Sequence, residues 1–248
     1  MPSHARGRRA VPCPPASAAP PRRPVFFFDL DDTLHDASHA IFRQIDRRMT
    51  DYVERHLDVV REEADRLRTL YWHRYGATLL GLVRHHAIDP AHFLHETHDF
   101  DVAALVRAER GLTRLFARLP GRKVLLTNAP MAYATAVLHA LAVHRHFGAR
   151  YTIETMRLHG TFRPKPSRLM LRAMLAREGV RAADAVLVED STVNLKAARA
   201  LGFRTVLMTG HGTRIAGECR LKRRGVPRAG LVIRSLHELP RGLARLRR

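Results

Sequence analysis

Several short, unbroken runs of apolar residues are the feature of this sequence that most constrains its fold. Each run is three or four residues long, rich in valine, leucine or phenylalanine, and followed by a polar residue. Such runs are typical of strands buried on both faces, as in a parallel sheet. The strands predicted in this way are VFFF (25–28), KVLLT (123–127), AVLVE (185–189) and RTVLM (204–208).

Helical segments separate these strands along the second half of the chain. We predict helices over 131–142, 167–178 and 192–201, a strand near 150–153, and a strand at 231–236 followed by a short basic helix. Strands that alternate with helices indicate a parallel sheet with helices on both faces. The sequence therefore predicts an α/β fold.

Residues 37–118 differ in character from the rest of the chain. They hold long amphipathic stretches such as IFRQIDRRMTDYVERHL and no convincing strand, which favours helices. We predict a helical insertion here, between two parts of one α/β domain, 24–36 and 119–248, the latter ending in a basic tail. The Pro-, Ala- and Arg-rich leader, 1–23, has almost no large apolar residue and is predicted to be disordered.

The chain is strongly basic, with a formal net charge of +20 at pH 7. Residues 1–23 hold five arginines and no acid, and residues 211–248 hold eleven Lys or Arg against two acids. The span 24–210 therefore carries only +6. Basic ends attract polyanions without reading any sequence, so we expect no specific nucleic-acid partner.

Cysteine content and hydropathy bear on the compartment. Cys13 and Cys219 are too few for a disulfide framework or a thiolate metal site. Prolines interrupt the leader where a secretory signal needs an apolar region, and no segment reaches the length of a membrane span. We expect a soluble, cytoplasmic protein without a membrane partner, whose oligomeric state the sequence does not indicate.

Polar side chains cluster where the predicted strands end. Ligands of parallel α/β sheets bind at the carboxyl ends of the strands, so we expect these side chains to share one site. They are Asp29, Asp31 and Thr33 after the first strand, Thr127 and Asn128 after the second, Lys165 before a helix, and Glu189, Asp190 and Asn194 at the strand 185–189.

Asp29 and Asp31 lie two residues apart, so a tight turn can direct both carboxylates to one point. One carboxylate can attack phosphorus and form an aspartyl phosphate, while the other protonates the leaving oxygen and later activates water. The alternative is that Asp31, Asp32 and Thr33 only cap the next helix.

Converging carboxylates repel one another unless a cation joins them. Mg²⁺ prefers carboxylates, waters and phosphate oxygens, and we predict a magnesium site formed by Asp29, Asp190 and a backbone carbonyl of the first turn, assigned to Asp31. Whether Glu189 and Asn194 bind metal directly or through water stays open. By itself, the segment Glu189–Ser191 is more typical of an ordinary helix N-terminus, where acids are favoured by the helix dipole, than of a metal site.

Thr127 and Lys165 are candidates for binding the phosphoryl group. The hydroxyl can donate to a phosphoryl oxygen, and the ammonium group can balance the charge of the transition state. Each is weak evidence alone, because a lysine in RPKPS is most often a solvated loop residue and TN after a strand is most often a turn.

The four segments FDLDDT, LLTN, RPKPS and VEDSTVN, in that order, resemble the four motifs of the haloacid-dehalogenase superfamily of phosphotransferases. The resemblance spans about 24–210 and implies a Rossmann-like parallel sheet with an inserted α-helical cap. It also implies specific roles: Asp29 as nucleophile, Asp31 as acid/base, Thr127 as phosphate-binding hydroxyl, Lys165 as charge-balancing lysine and Asp190 as magnesium ligand. Asn194 stands where many members have an acid.

A narrower resemblance concerns the substrate. FDLDDTLHDA, YWHRYGATLLGL, MRLHGTFRPKPS and VEDSTVNLKAARALG are similar to bacterial proteins assigned as pyrimidine 5′-nucleotidases. This implies hydrolysis of nucleoside monophosphates such as UMP or CMP. The alternatives are a phosphatase for another small ester, such as phosphoglycolate or a sugar phosphate, and an inactive binding protein that uses its basic ends on polyanions.

Two groups of residues are candidates for contacts with the rest of the substrate. His35 follows the first motif, so we expect it near the mouth of the site and in contact with substrate. Aromatic and basic residues of the insertion can stack on or hydrogen-bond a base, although residues at such spacing on amphipathic helices usually pack inward. These are Tyr71, Trp72, Arg74, Tyr75, Arg84, His85 and His86.

Overall fold

The computed structural model describes residues 23–211 and 230–246. The predicted disordered leader lies outside the described residues except for Arg23, and so does the part of the basic tail at 212–229. No helix among the described residues is long and apolar enough to cross a membrane.

Within the described residues, six parallel strands form the main sheet, in the order β3-β2-β1-β6-β7-β8. Every strand predicted from an apolar run is present, and the sheet confirms the α/β fold class. The strands are β1 (Val25–Phe28), β2 (Arg122–Leu126), β3 (Ala149–Tyr151), β6 (Ala185–Glu189), β7 (Arg204–Met208) and β8 (Leu231–Ile233).

Consecutive residues of β1 pack on opposite faces of the sheet, because side chains alternate along a strand. Phe26 and Phe28 belong to the apolar cluster on one face, and Val25 and Phe27 to the cluster on the other. All four are buried. An unbroken apolar run is therefore what this central strand requires.

Helices cover both faces of the sheet. One face packs against α5 (Leu112–Arg118), α6 (Met131–Ala140) and the last described helix, α9 (Leu239–Leu246). The opposite face packs against α7 (Arg168–Glu178) and α8 (Thr192–Arg199). The predicted two-sided covering is confirmed.

The first four helices of the described chain do not cover the sheet in this way. They pack around an apolar cluster of their own, which includes Tyr52, Leu82 and Phe93. α5, which lies within the predicted insertion, packs on the sheet instead, because Leu112 and Phe116 contact the cluster of Phe28. The four helices are α1 (Ile41–Leu57), α2 (Arg61–Tyr75), α3 (Thr78–His86) and α4 (Pro90–His98).

A small antiparallel hairpin, β4 (Arg157–Leu158) and β5 (Thr161–Phe162), was not predicted. Its strands have two residues each, too short to give a periodic signal. His159 and Gly160 both have positive φ, at 50° and 76°, which matches a primed two-residue hairpin turn.

Candidate active site

The site lies where β1, β2 and β6 end, at the edge where all parallel strands point their carboxyl ends. Asp29 follows β1 directly, and its amide donates to the Val188 carbonyl at 3.0 Å, continuing the pairing of β1 with β6. Glu189 is the last residue of β6, and Thr127 follows β2. Strand register therefore brings together residues separated by up to 160 positions.

A buried lysine joins two of these carboxylates. Lys165 Nζ lies 2.6 Å from Asp29 Oδ1 and 2.7 Å from Glu189 Oε2. All three residues are at most 7% exposed. Lys165 therefore lies in the same site as Asp29, and Glu189, whose role was open, is its second partner.

Burial and charge shift the pKa values of this trio in different directions. Burial, followed by the Glu189 carboxylate, raises the pKa of Asp29 well above its ordinary value despite the nearby lysine. Burial acts to lower the pKa of Lys165, but Asp29 and Glu189 outweigh it and raise that pKa. Burial acts to raise the pKa of Glu189, but the charge of Lys165 and the hydrogen bonds with Asp29, Lys165 and Asp190 together outweigh it, so that pKa is lowered. Asp29 is therefore the acid with incomplete charge compensation.

Asp29, Glu189 and Asp190 form a set of potential metal ligands. One carboxylate oxygen from each lies within 4.8 Å of the others. Carboxylate-only donors fit a hard cation such as Mg²⁺, and a cation here would compensate the charge of Asp29. Two of the predicted ligands, Asp29 and Asp190, are in this set.

The Asp31 carboxylate points to different partners. Its Oδ1 accepts a 2.6 Å hydrogen bond from the Tyr133 hydroxyl and lies 2.9 Å from His35 Nε2. The helical turn that follows, Ala37–His39, is capped by Asp36, whose carboxylate accepts from the His39 amide at 3.1 Å. The Asp32 carboxylate accepts from the backbone and hydroxyl of Ser38 in the same turn. The two carboxylates suggested for nucleophile and acid/base thus occupy distinct environments.

His35 differs from the expectation that placed it at the mouth of the site. Its ring is completely buried and contacts Asp31 from behind, with no hydrogen-bond partner for Nδ1 among the described residues. The chain folds back after Asp31, so that residue 35 forms a backbone bridge with residue 31 and its ring is buried. In this position His35 supports Asp31.

Thr127 and Asn128 both follow β2, and their side chains form hydrogen bonds with different partners. The Thr127 hydroxyl accepts from the Ala129 amide at 3.0 Å, which leaves its proton to donate. The Asn128 carboxamide binds the backbone of Lys165 twice: Oδ1 accepts from its amide at 2.9 Å, and Nδ2 donates to its carbonyl at 3.1 Å. Asn128 therefore fixes the loop that carries Lys165.

Several of the aromatic and basic candidates of the insertion pack with one another. The Tyr71 hydroxyl lies 2.6 Å from His86 Nε2, the Tyr75 hydroxyl lies 2.6 Å from His85 Nε2, and the Tyr71 and His85 rings stack. Tyr71 is only 6% exposed. This favours the packing interpretation for these side chains.

Sequence reasoning missed Tyr133 and His98. Tyr133 is buried on α6, and His98, at the end of α4, meets its ring edge to face at 5.5 Å. Burial lowers the pKa of His98 to about 4, so the ring is neutral near pH 7. Tyr133 follows the LLTN segment by five residues but is not part of it, and His98 lies far from every motif in sequence. Neither position matches a motif, so only the chemical type of each residue indicated a role.

Known proteins resemble this chain in sequence and in fold. A model of the family described as haloacid dehalogenase-like hydrolase matches residues 24–202. CbbY from Rhodobacter sphaeroides, solved in complex with phosphate, is 20% identical with a TM-score of 0.62, covering 90% of this chain and 100% of that one. YfnB from Bacillus subtilis, solved bound to magnesium, is 13% identical with a TM-score of 0.54, covering 89% and 98%.

A curated relative extends the comparison in sequence. Phosphate metabolism protein 8 of Saccharomyces cerevisiae is 25% identical over 199 residues, which is 75% of this chain. The match spans 62% of the yeast protein's length.

Proposed function

The chain belongs to the haloacid dehalogenase-like hydrolase family, and we propose that it is a magnesium-dependent phosphatase of pyrimidine nucleoside 5′-monophosphates. The observation that carries the phosphatase proposal is the environment of Asp29. This carboxylate sits at a strand end, 2.6 Å from a buried lysine and within reach of two further acids. Such a group is placed to be both nucleophile and metal ligand.

The reaction divides between two aspartates. Asp29 attacks phosphorus, the ester P–O bond breaks, and the leaving oxygen takes a proton from Asp31. Water then attacks the aspartyl phosphate and gives its proton to Asp31, which releases phosphate and restores Asp29. The separate anchoring of Asp31 by Tyr133 and His35 supports this division, because the acid/base is held apart from the Lys165 ion pair.

Lys165 and Thr127 are suited to hold the phosphoryl group. The ammonium group lies beside the attacking carboxylate, where charge develops in the transition state. Asn128 keeps this lysine in place through its backbone. When bound, Mg²⁺ would be held by Asp29, Glu189 and Asp190 and would neutralise phosphoryl charge.

The substrate class rests on the narrower sequence resemblance and on one contact. The segment YWHRYGATLLGL contains the turn between α2 and α3, and Gly76 in this turn faces the Lys165 carbonyl: a Cβ built there would lie 3.8 Å away. The turn therefore borders the loop of the proposed phosphate-binding lysine. A nucleoside attached to that phosphate would extend toward the helices of the insertion.

The proposal is tested by phosphate release from UMP, CMP, AMP, phosphoglycolate and sugar phosphates, with and without Mg²⁺. We expect preference for UMP and CMP, dependence on Mg²⁺, and loss of at least about 10³-fold in turnover for Asp29→Asn. Asp101→Asn, an exposed acid outside the site, is the matched control and should be unaffected.

The outcomes separate mechanism from substrate. Preference for another ester would retain the phosphatase and reject the nucleotidase. Turnover that persists in Asp29→Asn, or that is absent with every ester, would reject the enzyme mechanism.

A further inference from the structure

A second cluster of potential metal ligands lies on the helical insertion, formed by His56, His92 and Glu96. One nitrogen or oxygen atom from each lies within 4.8 Å of the others. His56 ends the last turn of α1, while His92 and Glu96 are one turn apart on α4. The cluster thus bridges two helices that are joined only through α2 and α3 in sequence.

The buried residue Tyr52 contacts both histidine rings and fixes their orientation. Its carbonyl accepts from His56 Nδ1 at 2.9 Å, its hydroxyl lies 3.0 Å from His92 Nδ1, and its ring stacks on His56 at 3.8 Å between centroids. Tyr52 is 1% exposed, whereas both histidines are exposed. Each imidazole is therefore held at Nδ1, which leaves Nε2 as the nitrogen available to a metal.

Holding a ring at one nitrogen is how proteins prepare histidine for metal binding. A ligating histidine usually donates its other N–H to a carbonyl, carboxylate or hydroxyl, which fixes the tautomer and the ring orientation. His56 has this arrangement, with Nδ1–H directed at a carbonyl. For His92 the proton needs to sit on Nδ1, where the Tyr52 oxygen can accept it.

Glu96 completes the set. Its Oε1 lies 2.9 Å from His92 Nε2, and its Oε2 accepts from Arg55 at 2.6 Å. Arg55 holds one oxygen and leaves the other facing the imidazoles. Tetrahedral coordination at about 2.0–2.1 Å requires donor atoms about 3.3 Å apart. The three donor atoms already lie within 4.8 Å of one another, so small changes in side-chain torsion angles would bring them to that separation.

We propose that His56, His92 and Glu96 form a surface site for Zn²⁺ or a similar borderline divalent cation, with water in the remaining position. Two imidazoles and a carboxylate suit Zn²⁺, whereas the carboxylate cluster at Asp29 suits Mg²⁺. A bound ion links the end of α1 to α4 and stabilises the insertion. The competing interpretation is a metal-free surface ion pair between His92 and Glu96.

Co²⁺ binding distinguishes the metal site from the metal-free ion pair, because Co²⁺ in a tetrahedral nitrogen and oxygen site absorbs visible light strongly. The full chain is titrated with Co²⁺ in excess Mg²⁺, which keeps the carboxylate cluster occupied, and Zn²⁺ binding is followed by calorimetry and thermal unfolding. We expect saturable Co²⁺ absorption and a rise in Tm with Zn²⁺ in the wild type. Both should be retained in His95→Ala, an exposed histidine on the same helix.

His92→Ala and His56→Ala should each weaken binding by at least about tenfold while leaving Mg²⁺-dependent phosphatase activity unchanged. Tyr52→Phe keeps both ligands and removes only the hydroxyl, so it should weaken Zn²⁺ binding without abolishing it. Equal Co²⁺ spectra and equal affinity in wild type and His92→Ala, or no tetrahedral absorption in the wild type, would overturn the proposal.

Discussion

The Tyr133 hydroxyl donates a 2.6 Å hydrogen bond to Asp31 Oδ1, the same oxygen that His35 Nε2 approaches at 2.9 Å. Two buried partners therefore hold one oxygen of this carboxylate, so the other is the one suited to exchange a proton with substrate. Burial and the Asp31 charge raise the pKa of Tyr133, which keeps the phenol protonated as a donor.

Tyr133→Phe removes this donor and retains the ring in its apolar cluster. We expect kcat to fall about 10- to 100-fold with little change in KM, because Tyr133 contacts the acid/base. Steady-state kinetics measure the effect. Tyr151→Phe is the matched control, since that hydroxyl donates to Glu178 at 2.7 Å, away from Asp31. Equal losses in both variants would reject a positioning role.

Asn128→Ala removes both hydrogen bonds to the Lys165 backbone. We expect a stability loss of about 1–3 kcal/mol, because the amide and carbonyl of a buried residue lose their partners. The kcat should fall as well, since the loop no longer holds the ammonium group against Asp29. Urea unfolding and phosphate release measure the two effects; unchanged values for both would show that the loop is held by other contacts.

Asp29→Asn should stabilise the metal-free protein while it abolishes turnover. The raised pKa of Asp29 means that its ionised form costs stability at neutral pH, and asparagine removes that charge. We expect the free energy of unfolding of Asp29→Asn to exceed that of the wild type by about 1–2 kcal/mol.

The raised pKa of Asp29 also sets how the stability gain of Asp29→Asn changes with pH. The gain is complete above the raised folded-state pKa of Asp29 and shrinks as pH falls through it. It vanishes below the ordinary value of 3.8, where wild-type Asp29 is protonated in both states. Urea unfolding between pH 3 and 8 without metal checks this; a gain that grows toward low pH would contradict it.

Gly81→Ala should destabilise the insertion. Gly81 lies on α3 against the Tyr71 ring, and a methyl group there would overlap the Tyr71 side chain. We expect a loss of about 1–3 kcal/mol in the free energy of unfolding. Gly148→Ala, where a methyl group meets nothing within 4 Å, is the control. A neutral result at Gly81 would mean that α3 can move away without cost.

Much of the fold could be predicted because its signals are local. An apolar run such as VFFF is short and rich in aromatic residues, which favours a strand buried on both faces over a helix. The α5 helix was harder to assign, because an amphipathic segment does not reveal which apolar surface it covers. The hairpin at 157–162 was missed because a two-residue strand carries no period.

The sequence by itself determined which chemical groups stand at the strand ends, since Asp29, Thr127 and Glu189 each follow a recognisable strand and parallel strands end at one edge. Only the tertiary structure decided how those groups pair. Lys165 forms ion pairs with Asp29 and Glu189, and Asn128 forms hydrogen bonds with the Lys165 backbone. Asp31 accepts a hydrogen bond from Tyr133, which lies 102 positions away in sequence. Side-chain pairing depends on distances and burial across elements, which spacing along the chain does not encode.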